Sequence, residues 1–247
     1  MTATDAVLVD DVGRVRVLTL NRPERLNAID DELHDNLLAA LAPAKEDGGP
    51  RSIVLTGAGD AFSSGGDLDL IRRMRGDPGL RQATLDTGRA LFLELTSLRI
   101  PVVAAVNGPA VGAGCTLALL CDIVVMSADA YLADPHVRVG LVPGDGGAVL
   151  WPLLAGLGTA KAYLLTGDRL PAEEAHRLGL VHQVVDGDPM VMAVALAERI
   201  AARPPAAVQE TKAALNMHIR ARDDVLAYGL DAEYRSFDDP EHRESIT

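Results

Sequence analysis

The sequence predicts an α/β core followed by a C-terminal portion made of helices. Two stretches, around residues 52–75 and 102–121, each lead from a short apolar run through a loop of small residues into a helical pattern. Repetition of strand, loop and helix is typical of α/β proteins. Beyond about residue 190 the strand patterns stop and Ala-rich amphipathic helices follow. We therefore divide the chain into a core over 1–190 and a helical portion over 191–247.

The stretch from residue 104 to residue 122 is the centre of the predicted site. The run from Pro101 to Val106 reads as a buried strand, and Asn107-Gly108-Pro109 forces a turn. Gly112-Ala113-Gly114 then opens a helix that is apolar on nearly every side. The first N–H groups of a helix have no partner within it, and the helix dipole adds partial positive charge there. An anion or a polarised carbonyl group is therefore favoured at this helix end.

A second loop of small residues has the same character. The strand over 52–56 leads into Gly57–Leu68, which contains Gly65 and Gly66 and ends in a helical pattern. One such loop by itself is equally well explained as a tight turn. Two loops that each lead from a buried strand into a helix can present two N–H donors to one oxygen, which is an oxyanion hole.

The remaining elements follow from local patterns. Residues 6–9 and 15–20 alternate as the two strands of a hairpin, and Asp30 is the expected N-cap of a helix over 30–42. Residues 72–86, rich in arginine, are expected to form a mobile segment beside the pocket, which gates entry and attracts phosphates, or a solvated linker. Further strands are expected at 123–126 and 184–185, and further helices at 159–165, 171–178, 193–202, 206–219 and 223–237.

Composition narrows the possible partners. The net charge of −12 argues against nucleic acid and against an anionic membrane surface. No apolar run approaches the ~20 residues of a membrane span, and the N-terminus has no basic and apolar leader. Cys115 and Cys121 are expected to be reduced core residues, and no cluster shows metal-ligand spacing. A cytoplasmic location is therefore expected.

Five segments, in this order, resemble the crotonase superfamily, also called the enoyl-CoA hydratase/isomerase family. They are Arg25-Leu26-Asn27-Ala28-Ile29, Ala61-Phe62-Ser63-Ser64-Gly65-Gly66-Asp67-Leu68, the stretch 105–122, Gly140-Leu141-Val142-Pro143-Gly144, and the stretch 164–181. The resemblance implies a superhelix of ββα turns and an acyl-CoA thioester substrate. It implies no separate cofactor, since CoA is part of the substrate. It also implies a homotrimer or a dimer of trimers, assembled through the C-terminal helices.

The resemblance also assigns residues. It places the oxyanion donors on the backbone N–H groups of Gly66 and Ala113. The loop around Arg22 and Arg25 contacts the CoA nucleotide in the family, although both arginines are equally well explained as solvated surface residues. The full set implied for substrate and CoA binding is Arg22, Arg25, Leu26, Ala28, Ser64, Gly65, Asp67, Leu68, Gly112 and Thr116.

The expected acid–base residues depart from the ordinary hydratase pattern. Hydratases of the family use two glutamates, and here Thr116 and His136 occupy those positions. A threonine hydroxyl has no useful pKa near neutrality, so it is not a general acid or base of that kind. His136 and Asp145 are the candidate pair, because histidine titrates near neutral pH and a carboxylate fixes its tautomer. A loop histidine and a helix-capping aspartate are the structural alternatives.

This histidine–aspartate segment resembles that of 6-oxocamphor hydrolase, a crotonase relative that cleaves a carbon–carbon bond in a cyclic β-diketone. Glu233 falls where that enzyme has a functional glutamate, with an exposed helix carboxylate as the alternative. The expected function is of the enoyl-CoA hydratase/isomerase type, with a thioester enolate held at the oxyanion hole and His136–Asp145 as the acid–base pair. The alternatives are a β-diketone C–C bond hydrolase and an acyl-CoA-binding member without catalysis.

Overall fold

Nine strands and eleven helices make up the part of the chain, residues 6–42 and 49–245, that the computed structural model describes. The strands are β1 (Val7–Val12), β2 (Val15–Leu20), β3 (Ser52–Gly57), β4 (Val102–Val106), β5 (Ala110–Val111), β6 (Ile123–Ser127), β7 (Tyr131–Ala133), β8 (Arg169–Pro171) and β9 (Gln183–Val185). The helices are α1 (Asp31–Leu41), α2 (Leu68–Gly76), α3 (Pro78–Ser97), α4 (Ala113–Leu120), α5 (Gly147–Ala155), α6 (Leu157–Leu164), α7 (Ala172–Leu178), α8 (Met190–Ala201), α9 (Pro205–Arg220), α10 (Asp223–Ser236) and α11 (Pro240–Ser245).

The main sheet has six strands in the order β1-β2-β3-β4-β6-β9. The β1–β2 hairpin is antiparallel and every other neighbouring pair is parallel. The predicted α/β class, the hairpin and the strands at 52–56, 102–106, 123–126 and 184–185 are therefore confirmed. A second sheet, in the order β5-β7-β8, was not predicted. Its strands have only two or three residues, which is too short to show an alternating pattern.

Both faces of the main sheet are covered. Alternate residues of a strand point to opposite faces, so Val54 and Val103 lie on one face while Ile53 and Val102 lie on the other. Helix α8 covers the first face with small side chains, and Ser52 donates a hydrogen bond to Ala197 O across 2.9 Å. The α8 residues in that layer are Ala193, Ala197 and Ala201. Helix α8, the first helix after β9, therefore completes the core.

The arginine-rich segment over 72–86 is helical, so the expectation of a solvated linker was wrong. Asp77 separates α2 from α3 and caps α3 by accepting a hydrogen bond from Leu80 N–H at 2.9 Å. Arg81 is fully buried, and its guanidinium group donates to Met74 O at 3.2 Å and to Tyr234 O at 3.1 Å. These bonds join α2, α3 and α10 into one wall. No helix within the described residues is both long and apolar enough to cross a bilayer.

Candidate active site

A cavity of about 200 Å³ lies where the two loops of small residues meet. Its walls come from the segments 64–66 and 111–113, helices α1 to α4, the residues before α5, and helix α10. Most of its lining side chains are aliphatic or aromatic. A cavity of this kind with a few convergent polar groups is the usual form of a small-molecule site.

Backbone pairing brings the two loops together. Ser63 and Ala110 form a parallel bridge, and Val111 donates its N–H to Ser63 O at 3.0 Å. Gly65 has a φ of +93°, and a Cβ at this position would lie 2.6 Å from Val111 O. Only glycine fits so close an approach in this backbone region. The local sequence therefore fixes the distance between the two loops.

Gly66 and Ala113 both line this cavity. Ala113 is the first residue of α4, so its N–H has no partner within the helix. The hydrogen bonds that anchor the two loops use neighbouring amides instead: Asp67 N–H donates to Ile29 O, and Gly112 N–H donates to Ala133 O. Gly66 and Ala113, the two residues to which the resemblance assigns the oxyanion donors, therefore line one cavity.

His136 lies beside these donors but is held by a different carboxylate from the one expected. A Cβ on Gly112 would lie 3.6 Å from His136 Cε1, which places the imidazole against the loop over 111–113. His136 Nδ1 is 2.5 Å from Asp134 Oδ1, and Asp134 is only 1% exposed. The prediction that Asp145 orients His136 through a hydrogen bond was therefore wrong. Asp134 follows β7 directly and precedes His136 by two residues. This closeness in sequence was the available signal for the pairing of Asp134 with His136.

Asp145 instead pairs with Thr116, the residue at the first family glutamate position. Thr116 Oγ1 donates to Asp145 Oδ1 at 3.2 Å, and Gly147 N–H lies 3.4 Å from the same oxygen. Among the described residues, Asp145 Oδ2 is buried without a hydrogen-bond partner. Thr116 thus positions a carboxylate, although its own hydroxyl is not an acid–base group.

Asp134, His136 and Asp145 each bring one polar atom to within 4.8 Å of the other two. This distance also suits a metal ion, which the sequence spacing did not reveal. The short contact with Asp134 already gives His136 Nδ1 a hydrogen-bond partner. His136 Nδ1 is therefore already engaged by the carboxylate of Asp134.

Glu233 is part of the same cavity, so the alternative of an exposed helix carboxylate was wrong. It lies on α10 and is 6% exposed. A Cβ on Gly144 would lie 2.8 Å from Glu233 Oε2, so the loop before α5 packs directly against this carboxyl group. In the described part of the chain, Oε2 has no hydrogen-bond partner. Asp145, Glu233 and His136 therefore all line one cavity.

The titration of these groups depends on their mutual charges. Burial lowers the pKa of His136, but the charges of Asp134 and Asp145, the hydrogen bond to Asp134 and the charge of Glu233 outweigh burial and raise it to about 10. Burial raises the pKa of Glu233 to about 8, with His136 opposing the shift and Asp145 and Asp134 adding to it. Burial also raises the pKa of Asp145, against the charge of His136. Near neutral pH the imidazole is protonated and Glu233 is mostly neutral.

The structure separates the residues predicted for substrate and CoA binding into two groups. Those that line the cavity are Ser64, Gly65, Leu68, Gly112 and Thr116. Those that do not line it are Arg22, Arg25, Leu26, Ala28 and Asp67.

The second group mainly holds the loop in place. Arg22 pairs with Asp30 at 2.8 Å and with Asp67 at 3.5 Å, so its guanidinium group is already engaged by carboxylates. Asp67 caps α2 by accepting from two backbone N–H groups. Ala28 is buried, whereas Leu26 is exposed at the surface. Arg25 is also exposed and pairs weakly with Asp69 at 3.4 Å, so of the two arginines it is the one placed to meet a phosphate.

His34 and Thr84 are lining residues to which sequence analysis gave no role. They come from α1 and α3, which are far apart in sequence. Each lies in a helix where periodicity predicts only a buried or an exposed face. Nothing in the local pattern shows that the two faces border one cavity.

Glu233→Gln is expected to flatten the pH dependence of stability. The folded protein holds the Glu233 proton up to about pH 8, whereas the unfolded chain releases it near the ordinary value of 4.5. The folded state therefore binds more protons between these limits, and the free energy of unfolding falls as the pH rises through this window. Thermal unfolding between about pH 5 and pH 8 should show a decrease in Tm that is smaller by several degrees in the variant.

Glu198→Gln, an exposed change on α8, is the matched control and should follow the wild-type curve. Parallel curves for wild type and Glu233→Gln would contradict the raised pKa of Glu233.

Comparison with known proteins assigns the family. The profile of the family described as enoyl-CoA hydratase/isomerase matches residues 11–247. The short-chain-enoyl-CoA hydratase of Clostridium acetobutylicum is 34% identical over 244 residues, which cover 98% of this chain and 93% of that protein. The 1,2-epoxyphenylacetyl-CoA isomerase of Escherichia coli is 38% identical over 222 residues, covering 89% of this chain and 84% of that protein.

A solved structure agrees with these relatives. The crystal structure of an enoyl-CoA hydratase/isomerase from Mycobacterium paratuberculosis matches with a TM-score of 0.94 and 45% sequence identity, over 100% of this chain and 99% of that chain. Sequence profile, relatives and fold all agree, and the chain therefore belongs to the enoyl-CoA hydratase/isomerase family, the crotonase superfamily.

Proposed function

We propose that the protein is an enzyme that binds an acyl-CoA thioester and moves a proton at the carbon next to the thioester carbonyl. One observation carries the proposal: Gly66 and Ala113, from separate loops, line the same cavity as the imidazole of His136, and their N–H groups are the proposed backbone donors. The donors stabilise negative charge on the carbonyl oxygen when the thioester becomes an enolate. The names of the relatives, which include an enoyl-CoA hydratase and an acyl-CoA isomerase, support the substrate class.

His136 is the proposed proton donor. With its pKa near 10 the imidazole is charged at neutral pH, and Asp134 on Nδ1 leaves Nε2 for the substrate. An imidazolium beside an enolate donates its proton to carbon and becomes neutral. Asp134 is the positioning residue, because its charge both orients the ring and sets the pKa of His136.

Asp145 is the proposed partner that accepts a proton. Thr116 holds one of its oxygens, and the other has no protein partner within the described chain. A separation of up to 4.8 Å between Asp145 and His136 matches two atoms that share one bridging water. In hydration, Asp145 takes a proton from this water while the water oxygen bonds to the β-carbon. The double-bond electrons move into the enolate, and His136 then protonates the α-carbon.

A substrate panel tests this function. We expect turnover of a short enoyl-CoA, measured both as hydration and as double-bond migration, because both reactions pass through the same thioester enolate. Turnover of a cyclic β-diketone without CoA would instead identify a C–C bond hydrolase. Tight binding of CoA esters with turnover of neither substrate would identify a binding protein.

The assembly and location are further parts of the proposal. We propose a homotrimer or a dimer of trimers, supported by exposed apolar side chains on and beside helices α5 and α6, which include Leu154, Leu157 and Leu165. A monomer in light scattering would exclude it. We also propose a cytoplasmic location, supported by the two buried free cysteines, Cys115 and Cys121.

A further inference from the structure

The wall of the cavity formed by α1 and α3 carries two polar atoms that nothing in the catalytic proposal uses. His34 Nδ1 on α1 and Thr84 Oγ1 on α3 are both buried, and neither has a hydrogen-bond partner among the described residues. Both residues line the same cavity as the oxyanion donors. A buried polar atom without a partner costs roughly 1–3 kcal/mol. Two of them in one ligand cavity indicate partners that arrive with the ligand.

Apolar side chains from α2 and α3 share this cavity with the two residues. Leu85 and Leu91 on α3 and Leu70 and Ile71 on α2 line the cavity with them. Gly88 lies one helical turn after Thr84 on the same face, and a Cβ at this glycine would meet open space. The wall therefore has room one helical turn from Thr84.

The chemistry of the two groups defines the ligand. His34 is 8% exposed, and burial lowers its pKa, which the nearby Asp31, Asp35 and Asp30 oppose. A neutral imidazole offers one N–H donor and one acceptor nitrogen, and a threonine hydroxyl both donates and accepts. A ligand hydroxyl can donate to an acceptor atom of either group or accept from a donor of either group. An anion is a poorer match, because neither group is charged.

We propose that His34 and Thr84 form a specificity subsite for a hydroxyl group on the acyl chain, beyond the β-carbon and away from the thioester. The preferred substrate class is thus an acyl-CoA with a hydroxylated chain rather than a plain fatty acyl-CoA. This inference rests on the proposed function, since it takes the acyl chain to occupy this cavity. A site built to bond a hydroxyl rejects the analogue that lacks it, because its buried polar groups are then left unpaired.

Binding of unreactive CoA thioethers tests the subsite without requiring turnover. The probes share one saturated chain length, and a single hydroxyl is moved outward carbon by carbon from the position after the β-carbon. In isothermal titration calorimetry we expect at least one hydroxylated probe to bind about tenfold more tightly than the plain chain, which corresponds to about 1.4 kcal/mol. His34→Phe and Thr84→Val should each bring this ratio close to one. Thr84→Val keeps the side-chain shape, so it still tests the subsite where His34→Phe fails to fold.

Two controls match these variants. Thr87→Val on the same helix removes a hydroxyl that already bonds to Ala83 O at 3.0 Å, and His218→Phe changes an exposed histidine on α9. Neither residue lines the cavity, and both variants should keep the wild-type ratio. Equal binding of all probes to the wild type, or a preference that survives in both subsite variants, would overturn the subsite alone. Binding of none of the thioethers would overturn the acyl-CoA function, and the subsite with it.

Discussion

Replacing His136 with alanine is expected to lower kcat for the enoyl-CoA reaction by about 10²–10⁴-fold, the usual contribution of a positioned acid–base group. The variant keeps both backbone donors, so substrate still binds and its carbonyl group is still polarised. It loses the group that delivers the proton to carbon. Steady-state kinetics should therefore show a large decrease in kcat with a smaller change in KM.

Two further variants make this result specific. His218→Ala, an exposed change on α9, should retain wild-type kinetics. Asp134→Asn removes the charge that raises the pKa of His136, so the alkaline decline of activity should move from about pH 10 to lower pH. A purely structural Asp134 would leave that decline in place. Full activity of His136→Ala would exclude the imidazole from the chemistry.

Ala113→Pro is expected to lower kcat by about 10²–10³-fold, the usual cost of losing one oxyanion donor. Proline has no N–H, and Ala113 is the first residue of α4, where proline is well tolerated. The substitution therefore deletes the proposed donor at a position where the helix accepts the ring. Kinetics on the purified variant, with thermal unfolding measured in parallel, would check the result.

The matched control is Ala113→Gly, which changes the side chain and keeps the N–H. This variant should retain most of its activity, with a small loss of stability from the added backbone freedom. Wild-type kcat in a folded Ala113→Pro protein would show that the carbonyl oxygen is not bound there. A similar decrease in both variants would point to a packing effect of the methyl group.

The parts of the fold that the sequence predicted are those with strong local signals. The strands over 52–57 and 102–106 are continuous apolar runs, and α1 has the capping aspartate Asp30 before an apolar stripe. The second sheet was missed, because a strand such as Ala110–Val111 is fixed by its partners and not by its own two residues. Helix α3 was not predicted, because an arginine such as Arg81 is usually exposed to solvent. In the fold Arg81 is buried and donates hydrogen bonds to carbonyl groups distant in sequence.

The site was predictable where one short segment carries its own geometry. The family resemblance assigned the donors to Gly66 and Ala113, which stand next to glycines of the two loops, and both residues line the cavity. The partner of His136 was not predictable, because Asp134 and Asp145 are both close in sequence and only folding decides which one reaches Nδ1. Glu233 and His34 depend on helices that arrive from opposite ends of the chain, and no local pattern encodes that meeting.

The proposed donors to the carbonyl oxygen are peptide N–H groups, which every residue type except proline supplies. Substitution of the surrounding side chains can therefore replace one set of proton-transfer residues by another. The backbone groups proposed to bind the carbonyl oxygen stay unchanged. Thr116 and His136, at positions where ordinary hydratases have glutamates, are an instance of such an exchange. An engineer who wants new reactivity from this scaffold should vary those side chains and leave the two turns untouched.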